Sequence, residues 1–94
     1  MEFFLQKSNK RKLMKTETKT EVEAAVFRKL LNHLDSRKDV QNIDLMNLSG
    51  FCRNCLAKWY SAEAIKRGED VSVESAKEIV YRMTYDEWKQ NYQK

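Results

Sequence analysis

Proline is missing from this chain, and glycine occurs only at Gly50 and Gly68. That scarcity constrains the fold more than any motif does. Turns with a positive φ draw on glycine, and tight β-turns draw on proline and glycine together. A barrel or sandwich needs many such turns. Two glycines do not supply them, so an all-α chain is expected, with no β-sheet and with helices joined by short loops. At 94 residues there is chain enough for one small domain.

Apolar residues recur at helical spacing. Val22, Val26, Leu30 and Leu34 repeat every four residues, and Thr20 followed three later by Glu23 fits a capping box. These predict a first helix over about Glu21–Asp35. Leu45, Leu48, Cys52, Cys55, Trp59 and Ala62 continue in steps of three and four. They predict a long second helix, capped by Asp44 and ending near Arg67, with Gly68 just past its end. Glu63 and Arg67 make a favourable i,i+4 pair on it. Gly50 lies inside this pattern, where it either allows a close helix contact or breaks the segment in two. Ser72 caps a third helix over about Val73–Met83. Thr84 and Glu87 repeat the capping-box pattern ahead of a short fourth helix holding Tyr85, Trp88 and Tyr92. The expectation is a compact bundle of about four helices over residues 20–94, after a flexible basic leader at 1–19.

The net charge of +4 is unevenly placed. Residues 1–20 carry all of it, while the remainder is balanced. A balanced body lacks the basic face that nucleic-acid binding needs, so no nucleic acid is expected through the folded part. The run from Lys7 to Lys12 reads as a solubilising tail. No apolar run approaches the ~18 residues of a membrane span, and Met1–Leu5 is too short for a signal-peptide core. Met14 is a second candidate start. A cytoplasmic protein without membrane contact is expected.

Cys52-Arg53-Asn54-Cys55 is the one chemically suggestive motif, and three readings of it stand side by side. Both cysteines extend the apolar stripe and can serve as small core residues. As metal ligands they supply two thiolates, with His33 as a third donor and Asp39 or Asp44 as a fourth. As a dithiol they suit redox chemistry best in the first turn of a helix. That placement follows if Gly50 ends one helix and Ser49 caps the next. Cysteines three apart in mid-helix have poor disulfide geometry. His33 otherwise reads as a helix C-terminal histidine beside the negative end of the dipole. Asn42, Asp44 and Asn47 read as capping and turn residues.

Trp59, Tyr60, Tyr81, Tyr85, Trp88 and Tyr92 give the second half an aromatic character. Such a surplus exceeds what a small monomer readily buries and is typical of protein interfaces. A homo-oligomer is expected, most simply a two-fold dimer, with an unidentified protein as a further possible partner. No catalytic constellation and no cofactor are indicated, and the residues assign no enzyme activity.

The run Asp39–Tyr60, with Gly50-Phe51-Cys52-Arg53-Asn54-Cys55-Leu56 at its centre, resembles a family of small, largely bacterial proteins of unknown function that carry this seven-residue signature. Ala76–Trp88 resembles the same family's ending. The likeness spans about Thr16–Gln93, and His33 falls where the family tends to place a histidine; residues 1–13 resemble nothing typical of it. The resemblance implies an all-helical protein and no established activity. Two function classes follow from all of this. One is a structural or protein-interaction module acting as a homo-oligomer. The alternative is a thiol or metal-binding protein using Cys52 and Cys55, possibly with His33.

Overall fold

A computed structural model describes residues 14–94. Five α-helices account for the regular structure there: α1 (Thr16–Ser36), α2 (Asn42–Ser49), α3 (Arg53–Lys66), α4 (Val73–Tyr81) and α5 (Tyr85–Asn91). No strand occurs among the described residues. The all-α expectation therefore holds. The segment read as one long second helix is two helices, because Gly50 takes the left-handed conformation at φ 81° and closes α2. Residues 1–13 of the expected leader lie outside the described residues.

Capping explains most boundaries. Ser72 Oγ accepts from the Ser75 N–H at 3.1 Å at the start of α4. At the start of α5, Thr84 Oγ1 accepts from the Glu87 N–H at 3.1 Å, and Glu87 Oε1 accepts from the Thr84 N–H at 3.0 Å. Both caps are where the sequence puts them. Gly68, at φ 83°, ends α3. There the Glu69 N–H reaches the Ala64 carbonyl and the Gly68 N–H the Ile65 carbonyl, both at 3.0 Å, which is the Schellman pattern. Arg67 Nη1 meets Glu63 Oε1 at 2.8 Å, as the spacing suggests.

Two expected caps are misplaced. α1 begins at Thr16, so Thr20 is inside the helix and its hydroxyl donates back to the Thr16 carbonyl at 3.0 Å. Asp44 is not the first cap of α2 but sits three residues in. Its carboxylate accepts from the backbone N–H of Gln41, the true N-cap, at 3.2 Å.

The core joins four of the helices. Leu31 and Leu34 come from α1, Leu56 and Ala57 from α3, Ala76, Val80 and Tyr81 from α4, and Trp88 from α5. Ala57 and Ala76 are both fully enclosed. Small side chains there let α3 and α4 approach closely. Ser61 is also buried, and its hydroxyl donates to the Val71 carbonyl at 2.6 Å. This bond fastens α3 to the link that leads into α4. By contrast, α2 buries no side chain and α1 buries only Leu31 and Leu34 near its end. Leu48, expected on the buried face, is 85% exposed.

Candidate functional site

The break at Gly50 places the Cys-x-x-Cys segment at a helix start rather than in mid-helix. Cys52, with extended backbone at φ −143°, is the N-cap of α3, and Arg53, Asn54 and Cys55 form its first turn. Side chains at the N-cap and three residues on turn toward each other. The two sulfurs accordingly lie 3.8 Å apart. Both are free thiols, Cys52 buried and Cys55 half-buried.

His33 does not join them. It is exposed on α1, where its carbonyl accepts from the Ser36 hydroxyl. Among the described residues, no group of three or more His, Cys, Asp or Glu side chains is placed to hold a metal ion. The structure thus brings together Cys52 and Cys55 of the expected ligand set and leaves out His33. Asp39 is engaged elsewhere: Arg37 donates to it from Nε and Nη2, both at 3.0 Å. That pairing holds the Asp39 carboxyl below its ordinary range. Asp44 serves the α2 cap.

Between the cysteines lies a residue whose importance the sequence does not announce. Arg53 is only 2% exposed. Its Nη1 donates to the Val40 carbonyl at 2.7 Å and to Asn42 Oδ1 at 3.2 Å, and its Nη2 donates to the Arg37 carbonyl at 2.9 Å. The guanidinium lies 5.2 Å from the Trp88 ring centre. A flat, charged fork stacked on indole with its edge toward carbonyls uses what arginine offers and lysine does not. Burial pushes the Arg53 pKa down from its ordinary value, yet a guanidinium remains charged in proteins. It gathers the α1–α2 link, the head of α3 and the buried tryptophan of α5.

The network continues through Asn42. Its Oδ1 also accepts from the Arg53 backbone N–H at 3.3 Å, and its Nδ2 donates to the Tyr81 hydroxyl at 2.9 Å. Tyr81 then donates to Asn54 Oδ1 at 2.6 Å. Burial pushes the Tyr81 hydroxyl up to about 12, against the opposing hydrogen bond from Asn42. Asn42 and Asn54 thus link α2, α3 and α4 through polar atoms. Nothing in a single sequence distinguishes these two asparagines from surface ones.

The family model described as "Protein of unknown function (DUF1244)" matches residues 40–94, more than half of the chain. The chain belongs to the DUF1244 family. No curated protein matches it. The DUF1244 match covers α2 to α5 and begins after α1, so it takes in Asn42, Cys52–Cys55, Tyr81 and Trp88 but not His33. It agrees with the expectation of a family of unknown function.

A second feature lies between α1 and α3. Phe27 of α1, Leu56, Trp59, Tyr60 and Ala64 of α3, and Val71 line an open, mostly apolar groove of about 590 Å³. Phe27 and Tyr60 stack at 6.3 Å between ring centres along it. Trp59 is 56% exposed. Glu63, Arg67 and Glu69 complete its rim with both signs of charge.

Proposed function

We propose that this protein is an interaction module that works as a homodimer, with α1 and the Phe27–Trp59–Tyr60 groove forming the shared interface. The observation that carries this is the uncovered first half of α1. From Thr16 to Val26 the helix contributes no buried side chain, yet its apolar stripe runs through Val22 and Val26, both exposed.

Helices without tertiary cover are marginal in water at lengths below ~12–15 residues even when alanine-rich. This segment is poorer still, with Thr16, Thr18, Thr20, Val22 and Val26, because branched side chains lose rotamer freedom in a helix. A second copy supplies the missing cover. Phe27 belongs to the groove, so the bare stripe and the groove meet on one helix. In a two-fold pair, the stripe of each copy lies on the groove of the other, and both are buried by one symmetric contact. Glu63, Arg67 and Glu69 give the rim both signs of charge, so an acid of one copy can face Arg67 of the other when the axis runs between them.

Sedimentation over a wide concentration range tests this. A reversible monomer–dimer equilibrium is expected, and Val26→Asp is expected to abolish the dimer by burying a charge in the contact. A wild-type protein that stays monomeric throughout overturns the proposal. So does a dimer that V26D and W59A leave intact.

A further inference from the structure

Four helices of this protein begin with a defined pair of residues, an N-cap and the residue three positions on. In α4 and α5 the paired side chains hydrogen-bond. Ser72 and Ser75 hydroxyls lie 3.1 Å apart, and Thr84 Oγ1 donates to Glu87 Oε1 at 3.0 Å. In α2 the third-position carboxylate of Asp44 accepts from the N-cap backbone. In α3 the same two positions carry Cys52 and Cys55, with sulfurs 3.8 Å apart and no side-chain cap hydrogen bond. Sulfur is a weak acceptor, so α3 gives up the cap that its neighbours make. Capping geometry nevertheless does for the thiols what it does for oxygens: it turns both side chains toward one point. The mid-helix objection to a disulfide between cysteines three apart does not apply, because Cys52 stands outside the helix with extended backbone. The sulfurs need approach by less than ~2 Å to bond.

From this geometry we infer that Cys52 and Cys55 are a reactive dithiol that closes to an intramolecular disulfide by exchange with a low-molecular-weight disulfide, Cys55 attacking first and Cys52 resolving. The order follows from burial. Cys55 is half-buried and accessible, whereas Cys52 is 7% exposed. In the first step Cys55 gives its proton to solvent and its thiolate attacks one sulfur of the oxidant. A Cys55–oxidant bond forms, the oxidant's own S–S bond breaks, and one thiolate leaves and takes up a proton. In the second step Cys52 loses its proton and attacks Cys55 Sγ. The Cys52–Cys55 bond forms and the second thiolate leaves. Two cysteine thiols are oxidised and one external disulfide is reduced to two thiols, so electrons and protons balance. The inference is independent of the homodimer.

The test is incubation of the full chain with glutathione disulfide, followed by acid quench, alkylation and mass measurement with the modified site located. Wild type is expected to lose two hydrogen atoms, to lose both alkylatable thiols and to stay unlinked to other chains. Cys52→Ser keeps a good capping residue and is expected to stop as a glutathione adduct on Cys55. Cys55→Ser is expected to take no adduct on Cys52 while native helical circular dichroism is retained. Should C55S unfold, C55A under the same readout replaces it, and the wild-type mass decides ring closure alone. A wild type that ends as a glutathione adduct, as an interchain disulfide or unreacted overturns the inference. Adduct forming on Cys52 of C55S as fast as on Cys55 of C52S overturns the order of attack.

Discussion

A single buried cation organises the head of α3. Replacing Arg53 by Met keeps an unbranched apolar stem but removes the guanidinium over Trp88. It takes the side-chain donor from the Val40 carbonyl and one of two donors each from the Arg37 carbonyl and Asn42 Oδ1. Hydrogen bonds to a charged group are each worth about 1.5–3 kcal/mol. Because the buried charge itself is costly, the expected net loss for R53M is about 3 kcal/mol, read by urea denaturation. R53K keeps the charge and loses the fork, so it is expected to remain about 1–2 kcal/mol less stable than wild type. Tyr81 makes a second prediction. Its folded-state pKa of about 12 exceeds the ordinary value of 10, so the folded protein holds this proton longer than the unfolded chain does. The resulting stabilisation is complete below pH 10 and is lost as pH rises through about 12. The fall is expected to be about 2–3 kcal/mol across that window. Tyr81→Phe removes the titrating group, and its stability curve is expected to lack this decline. Neither residue was legible in the sequence as a hub. An arginine between two cysteines carries no local mark of burial, since its acceptors come from the chain 11 to 16 residues earlier.

At the scale of elements, what was readable was local. Ser72, Thr84 with Glu87, and Gly68 make their contacts within a few residues, so spacing alone identifies them. Gly50 was ambiguous because the apolar rhythm from Leu45 to Trp59 runs on across it in steps that suit one helix. The left-handed backbone at that glycine and the extended backbone at Cys52 separate α2 from α3. Thr20 with Glu23 shows the converse failure, a capping pattern inside a helix that starts four residues earlier. Arg82 ends α4 in the left-handed region, at φ 62°, without being glycine. Arg82→Gly is expected to stabilise the protein by about 0.5–1 kcal/mol, since glycine avoids the Cβ strain but loses more chain entropy. Gly50→Ala is expected to destabilise it by about 1 kcal/mol through strain alone, because an added Cβ meets nothing within 4 Å. Thermal and urea unfolding of the two variants check both signs.

Over the described residues, 14–94, the molecule is lopsided. Its core is gathered where α3, α4 and α5 meet the last turns of α1, while α2 and the first half of α1 give it no buried side chain. The sequence made the apolar stripe of α1 visible. It did not show that the stripe outruns the monomer's own core, since that depends on where the other helices stop. A homodimer built on this overhang ties stability to protein concentration. The unfolding midpoint of the wild type is expected to rise with concentration, and that of V26D to stay constant at a lower value. A wild-type midpoint indifferent to concentration counts against the shared interface.

The two tryptophans occupy opposite environments. Trp88 is 1% exposed beneath the Arg53 guanidinium, and Trp59 is 56% exposed on the groove. Emission from Trp59 is therefore open to a dissolved quencher while that from Trp88 is shielded. One tryptophan reports on whatever covers the groove, the other on the integrity of the core, and a single spectrum separates docking from unfolding without any added label.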